Sequence, residues 1–159
     1  MEIIKLDKTQ GALVYKLFDK YRVFYKQPSN IEVSTNFIKE GMNNNESIIF
    51  VALIGSIPIG FTQLYPKFSS TRVTRNWILN DLYVDVEYRK LGIGEELIRT
   101  AMNFAKANGA SFVELSTEVD NITAQRLYER VGFNKQGECS SLYRYRIYVL
   151  DYKSPCIIN

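Results

Sequence analysis

The chain has 159 residues, 46% of them hydrophobic and 23% charged, which fits one globular domain and leaves no room for two of ordinary size. Its formal net charge of +3 gives no argument for nucleic acid or an acidic membrane as a partner. Because there is no histidine, catalytic triads, general bases and zinc sites that depend on histidine are excluded. The two cysteines, Cys139 and Cys156, are too few for a four-ligand metal site or a disulfide framework, and they favour a reduced, cytoplasmic setting.

The first elements predicted along the chain are a short strand and two helices. Residues 2–6 predict a short first strand, and apolar residues at helical spacing predict a helix over 9–25. Ser29 and Glu32 have the Ser-x-x-Glu spacing of a capping box, which predicts the start of a second helix. We expect that helix to end near residues 41–45, where glycine and asparagines interrupt the pattern.

The uncharged stretch 47–66 is long enough to cross a bilayer, but its apolar residues come in two short runs. A Gly-Ser pair separates these runs, so the pattern predicts a hairpin with strands at about 48–54 and 57–65. A polar loop over 66–74 and a long strand over 76–86 should follow. We therefore expect no membrane-spanning segment here.

The second half alternates strand and helix. The predicted order is a turn at 87–94, a helix that ends at Gly109, a strand at 111–116, a helix at 121–131 and two strands at 133–139 and 143–150. A strand that leads through a helix to the next strand predicts a parallel, right-handed crossover. The sequence thus predicts one mixed α/β domain over residues 1–150, followed by a tail at 151–159.

One segment of this crossover, Arg89-Lys90-Leu91-Gly92-Ile93-Gly94-Glu95, points to a ligand. Glycines at the start of a helix let the backbone approach closely, and free amides there favour a phosphate. A Walker A loop is excluded because no Gly-Lys-Ser/Thr is present, and a dinucleotide fingerprint would need glycine or alanine at Leu97. The alternative is a tight turn with two solvated basic residues.

Here the sequence resembles the GNAT superfamily of acetyl-CoA-dependent N-acetyltransferases. Arg89, Gly92 and Gly94 match that family's Arg/Gln-x-x-Gly-x-Gly/Ala signature, and residues 121–133 match its Asn-x-x-Ala-x-x-Leu-Tyr-x-x-x-Gly-Phe helix. Residues 79–84 resemble the branch that includes small-amine, aminoglycoside and histone-type acetyltransferases. With the order of elements, the resemblance covers nearly the whole chain.

The resemblance implies a GNAT acyl-CoA N-acyltransferase fold: a central mixed, mostly antiparallel sheet with a parallel βαβ unit at the cofactor site, flanked by helices. It also implies acetyl-CoA as cofactor, no metal, and direct transfer of acetyl to a primary amine in a ternary complex. The positions that the resemblance assigns to acetyl-CoA are Leu82, Tyr83, Val84, Arg89, Lys90, Leu91, Gly92, Ile93, Gly94, Glu95, Asn121, Ala124 and Tyr128.

For catalysis the resemblance singles out Tyr128, which matches a tyrosine near the thioester sulfur and would protonate the departing thiolate. The alternative is a core aromatic on the apolar stripe of its helix. Many relatives have Glu where Asn80 stands, and an amide cannot act as a base, so Asn80 would orient the amine or a water. The proton would then pass through water to solvent or to Asp81. Alternation along a strand sends Asp81 to the opposite face unless a bulge intervenes, and both residues could instead serve only local backbone groups.

Weaker predictions concern the acceptor and the assembly. Acceptor contacts are expected from Tyr21, Phe24, Tyr25, Gln63 and Tyr65, although the helical aromatics could equally be core residues. Arg144 and Arg146 predict a solvated basic sheet face, and neither cysteine is expected to be a nucleophile.

We expect a small-molecule acceptor (a polyamine, an aminoglycoside or an amino-acid-like amine), no nucleic-acid or membrane partner, and a homodimer. The alternatives are a protein lysine or N-terminal acetyltransferase and an acyl-CoA sensor without turnover.

Overall fold

Seven strands and four helices make up residues 1–149, the part of the chain that this computed structural model describes. The strands are β1 (Glu2–Lys5), β2 (Ile48–Ile54), β3 (Ile57–Ser69), β4 (Thr74–Val84), β5 (Phe112–Glu118), β6 (Asn134–Cys139) and β7 (Leu142–Tyr148). The helices are α1 (Ala12–Phe24), α2 (Ile31–Asn43), α3 (Ile93–Ala107) and α4 (Ile122–Val131), with one 3₁₀ turn at Val86–Tyr88. Cys156 and the predicted tail lie outside the described residues.

The strands form one seven-stranded sheet in the order β1-β2-β3-β4-β5-β7-β6. All neighbours are antiparallel except β4 and β5, which are parallel and joined through α3. The predicted mixed, mostly antiparallel sheet with one parallel βαβ unit is confirmed.

The helices cover the two faces of the sheet and create two apolar clusters. One cluster joins the sheet to α3 and α4 and includes Trp77, Leu97 and Leu115. The other joins the sheet to α1 and α2 and includes Val14 and Phe61. The sheet therefore separates an α1/α2 face from an α3/α4 face.

The predicted capping box is wrong by one residue. The N-cap of α2 is Asn30, whose side chain accepts the backbone N–H of Val33 at 3.0 Å. The Ser29 hydroxyl instead donates to Asp19 Oδ2 at 2.6 Å, and the other Asp19 oxygen accepts the hydroxyl of Ser34 at 2.8 Å. Asp19 thus ties α1 to the start of α2, a long-range contact that outweighs the local capping motif.

The predicted polar loop 66–74 is also wrong for most of its length. β3 continues to Ser69 and β4 begins at Thr74, so the turn is much shorter. Phe68 lies directly opposite Arg75, and the guanidinium stacks over the ring at 5.1 Å. Cross-strand pairs of this kind stabilise a sheet even where the sequence is polar.

The first helix also begins later than predicted, at Ala12, because Asp7 holds the preceding turn through the amide and hydroxyl of Thr9.

The predicted solvated basic face is wrong at Arg146. Its guanidinium donates to Glu114 Oε2 at 2.7 Å and packs over the ring of Phe112 at 4.2 Å. Lys67 donates to the other Glu114 oxygen, so this carboxylate holds two cations. Arg144 is exposed, as predicted.

None of the helices in residues 1–149 is long and apolar enough to cross a membrane.

Candidate active site

The centre of the sheet opens where β4 and β5 part. These parallel strands pair only at Trp77 with Val113 and at Ile78 with Glu114. β4 then runs on to Val84 beside β3, so beyond Ile78 its other edge has no strand partner among the described residues. Backbone amides along that edge are free to bind a ligand.

The loop after β4 curls into a second set of free amides. Lys90 has φ +65° and Gly92, the N-cap of α3, has φ +81°. Gly92 has no side chain to cap the helix, so the first amides of α3 point out of its N-terminus without a side-chain partner. Left-handed residues beside a helix N-terminus form a concave anion site.

A cleft of 810 Å³ joins the split strands to this loop. Its lining contains every residue that the resemblance assigned to acetyl-CoA except Leu91: Leu82, Tyr83, Val84, Arg89, Lys90, Gly92, Ile93, Gly94, Glu95, Asn121, Ala124 and Tyr128. Leu91 is 67% exposed and lies outside the lining. One cleft therefore collects positions from both sequence motifs.

Arg89 is held firmly at the rim of this cleft. Its Nε donates to the carbonyl of Val84 at 2.9 Å, and its guanidinium lies 5.4 Å from the ring of Phe24 and 5.6 Å from that of Tyr83. The end of α1 thus contacts the loop between β4 and α3. Arg89 forms no ion pair with a carboxylate of the described residues, so its guanidinium can bind an anion.

Glu95 brings negative charge into the lining, but its carboxylate is already paired. Arg99 donates to it at 2.7 Å and Arg130 at 3.3 Å, and these bonds hold the pKa of the carboxyl below its ordinary value. The basic residues of the loop therefore dominate this end of the cleft.

Helix α4 forms the opposite wall and carries Tyr128. Asn121 is its N-cap and accepts the amide of Ala124 at 3.1 Å, so Asn121 orders the helix as well as lining the cleft. Tyr128 is 7% exposed, and burial raises the pKa of its phenol above the ordinary value of 10.0. Tyr128 also packs in the core against Phe133, so the same side chain belongs to the core and lines the cleft.

A bulge in β4 decides where Asp81 points. Gln63 on β3 pairs with Asp81, whereas its neighbour Leu64 pairs with Leu79, so Asn80 is an extra residue in β4. Regular alternation would send Asp81 to the sheet face opposite Asn80, and this bulge interrupts the alternation. Asn80 is exposed and Asp81 is 4% exposed.

Asp81 faces α1, where the Tyr21 phenol lies close to the carboxylate. Asn80 Nδ2 donates to Asp81 Oδ1 at 3.0 Å. Burial nevertheless raises the pKa of the Asp81 carboxyl above its usual range, since it outweighs the lowering effects of Tyr21 and Asn80. No lysine or arginine within residues 1–149 forms an ion pair with Asp81.

The predicted acceptor residues fall into two groups. Phe24 and Tyr25 line the cleft at the end of α1. The other three, Tyr21, Gln63 and Tyr65, instead surround Asp81. Burial and the charge of the Asp81 carboxylate together raise the pKa of Tyr65 to about 12. Gln63 Nε2 donates a hydrogen bond to the Tyr65 hydroxyl at 3.0 Å. Tyr21, Gln63 and Tyr65 thus form a tyrosine cluster around Asp81, and Tyr25 lies between this cluster and the cleft.

Sequence reasoning missed the rest of the α4 wall and one loop residue, namely Tyr88, Thr123, Arg126, Leu127 and Arg130. The α4 members recur at helical spacing, every three or four residues, so they share one face. That spacing was a usable signal, because Tyr128 and Ala124 lie on the adjacent stripe.

The family model for the acetyltransferase (GNAT) family matches residues 13–133. The chain belongs to this family. Its fold and relatives make it an N-acetyltransferase. It is 40% identical over 135 residues to the uncharacterized N-acetyltransferase YhfO of Bacillus subtilis, covering 85% of this chain and 91% of that protein.

Solved structures agree with the family assignment. A crystal structure described as "a probable acetyltransferase" superposes with a TM-score of 0.82 at 38% identity, over 88% of this chain and 94% of that one. The PaiA N-acetyltransferase of Thermoplasma acidophilum, solved in complex with coenzyme A, has a TM-score of 0.69 at 19% identity, over 93% and 99% of the two chains. At that identity the likeness shows the fold alone.

Proposed function

We propose that this enzyme transfers the acetyl group of acetyl-CoA to the primary amine of a small molecule, by direct attack in a ternary complex. The observation that carries the proposal is the convergence of three features on one cleft: the free edge of β4, the curled loop at Gly92, and Tyr128. A CoA thioester needs all three, since it is long, carries phosphates at one end and reacts at the other.

The residues of the cleft fit acetyl-CoA. The amides at the start of α3, together with Arg89 and Lys90, would hold the pyrophosphate. Backbone groups at 82–84 would bind the pantetheine arm, and one amide there would polarise the thioester carbonyl. The relative with bound coenzyme A has the same fold, which supports this assignment. When bound, acetyl-CoA supplies an acetyl group activated as a thioester.

Tyr128 would act as the general acid. Its raised pKa keeps the phenol protonated throughout the physiological range, so the proton is always present. A thiol has an ordinary pKa of about 8.5, so transfer from the phenol to a thiolate is uphill. Tyr128 therefore acts chiefly by donating a hydrogen bond that stabilises the negative charge as it forms on sulfur.

Asp81 would accept the proton of the acceptor ammonium, with Asn80 orienting the amine or an intervening water. An alkyl ammonium has a pKa near 10.4, so fewer than about one molecule in a thousand is neutral at pH 7 and a base is valuable. A raised carboxyl pKa makes Asp81 a stronger base than an exposed aspartate. Its lack of a cation partner leaves it free to attract an ammonium.

The surroundings of Asp81 support a small acceptor rather than a protein. Asp81 is 4% exposed and its neighbour Gln63 is 2% exposed, so a slender amine would reach the carboxylate more readily than a folded polypeptide would. Aromatic rings beside a carboxylate also suit a cation, because a ring face attracts positive charge. A cytoplasmic location and a homodimer stay predictions from the sequence.

The test is release of the CoA thiol from acetyl-CoA with a panel of amines: polyamines, aminoglycosides, amino acids and a lysine-rich peptide. Release that depends on a small amine supports the proposal. Release that depends on the peptide alone favours the protein acetyltransferase. Absence of release with every amine, while acetyl-CoA still raises the melting temperature, favours the sensor.

A further inference from the structure

Gln63 occupies the position directly opposite Asp81 across β3 and β4. The Cβ atoms of such a cross-strand pair lie about 5 Å apart, so the two side chains are neighbours. Gln63 shares the α1/α2 face with Phe61, two residues earlier, whereas Leu64 packs on the other face. Gln63 is 2% exposed, and nothing in the proposed reaction has used it so far.

The amide of Gln63 is satisfied at its nitrogen and unsatisfied at its oxygen. Nε2 donates to Ser47 Oγ at 2.7 Å and to the Tyr65 hydroxyl at 3.0 Å. Oε1 is buried and accepts no hydrogen bond from the described residues. An unpartnered buried acceptor is costly, and such groups recur at functional sites.

The side chains around Asp81 indicate which group could donate a hydrogen bond to Gln63 Oε1. Tyr21 and Asn80 already direct their donors at the carboxylate. Tyr25 and Tyr65 are the other titratable groups that face it, and the exposed Glu118 and Glu46 lie beyond them. All of these are phenols, an amide or acids, and no cation is among them. The carboxyl itself becomes a donor once it holds a proton.

We propose that Gln63 is a positioning residue for the base: its free Oε1 accepts the hydrogen bond of the O–H that Asp81 carries after taking a proton from the amine. This inference rests on the role proposed for Asp81. In the step, an N–H bond of the ammonium breaks, an Oδ–H bond of Asp81 forms, and the nitrogen keeps the electron pair with which it attacks. Nothing is oxidised or reduced.

The test is a carbon-13 NMR titration of the Asp81 carboxyl in the wild type and in Gln63→Met, with Asp81→Asn used to assign the signal. A hydrogen bond to the protonated form raises a carboxyl pKa, so its removal should lower the Asp81 pKa by about half to one pH unit. The acid limb of the pH dependence of kcat/KM should move to lower pH by the same amount. A purely structural role for Gln63 would leave both midpoints in place.

Two further variants keep the test decisive. Ser47→Ala removes an acceptor of Nε2 and leaves Oε1 intact, so the Asp81 midpoint should stay at its wild-type value. If Gln63→Met does not fold, Gln63→Asn withdraws the amide by one methylene and should also lower the midpoint. An unchanged midpoint overturns the inference, and a raised one shows that the amide donates to the carboxylate instead. Because the titration needs no amine and no acetyl-CoA, it can fail or succeed independently of the proposed function.

Discussion

The cleft and the tyrosine cluster around Asp81 are built from different parts of the chain. At the loop end of the cleft, backbone amides and glycines within one short segment, from Arg89 to Gly94, make the concave surface. In the cluster, side chains from α1, β3 and the bulge of β4 meet around Asp81, which lies outside the cleft lining. The shape of a short segment depends on few other residues, whereas a cluster assembled from three elements depends on all three. We therefore expect the loop end to serve the shared cofactor and the cluster to set the acceptor.

The largest effect that sharpens this comparison is expected from Asp81→Asn. Loss of a general base typically costs 10²–10⁴-fold, so kcat/KM for the amine should fall by about 100-fold or more. The affinity for CoA should not change, because Asp81 lies outside the cleft lining. Steady-state kinetics and calorimetric titration with CoA check the two halves of this prediction. An unchanged acid limb in the pH profile of the variant would contradict the assignment of Asp81 as base.

The same substitution should stabilise the fold at neutral pH. The folded-state pKa of Asp81 is raised, so the carboxylate is less stable in the folded state than in the unfolded chain. Wild-type stability therefore falls as pH rises from the unfolded pKa, near 3.8, through the folded value. The melting temperature of Asp81→Asn should match the wild type at low pH and exceed it at pH 7. A lower melting temperature at pH 7 would show that Asp81 serves structure.

Two glycines test the loop end in different ways. Gly92 has φ +81°, so Gly92→Ala should lower the free energy of unfolding by about 1 kcal/mol. Gly94 lies in α3, where an added Cβ would meet Leu127 at 3.4 Å and Val84 at 3.9 Å, ordinary contacts with two cleft-lining residues.

Gly94→Ala should therefore keep the stability of the wild type. Its methyl group should narrow the cleft and lower the affinity for CoA about tenfold, which corresponds to about 1.4 kcal/mol. Thermal unfolding measures the stability of the Gly92→Ala and Gly94→Ala variants, and calorimetric titration measures their affinity for CoA. Wild-type CoA affinity in Gly94→Ala would mean that CoA does not pass this point.

The smallest effect concerns the contact between the end of α1 and the loop end of the cleft. Phe24 stacks on Arg89, and a cation–π contact at an exposed site contributes about 0.5–1 kcal/mol. Phe24→Ala should raise the KM for acetyl-CoA about two- to fivefold with little change in kcat. Phe37→Ala is a matched control, since Phe37 is 52% exposed against 51% for Phe24 but stacks on Phe18. Equal effects of the two variants would show that the stack on Arg89 has no part in binding.

The same contrast explains what the sequence could predict. The glycine loop, the βαβ unit and α4 follow from local spacing, whereas the residues assigned to the cofactor came from the resemblance to the GNAT family. The Asp81 pocket depends on the bulge at Asn80, on pairing between β3 and β4, and on where α1 lies, none of which local spacing encodes. Gln63 was predicted as an acceptor residue, but its register with Asp81 and its unpartnered oxygen are visible only in three dimensions. The cap at Asn30 was missed for a similar reason, because the Ser29 hydroxyl donates to Asp19 on α1 instead of capping α2.

The central claim is that Tyr128 donates to the departing thiolate in acetyl transfer to an amine. The most direct measurement compares kcat and KM of the wild type and Tyr128→Phe, using the best amine of the panel and saturating acetyl-CoA. Phenylalanine keeps the packing against Phe133 and removes only the hydroxyl. The account predicts a kcat about 10²–10⁴-fold lower with both KM values nearly unchanged. A kcat equal to that of the wild type would contradict it and leave Tyr128 as a core residue.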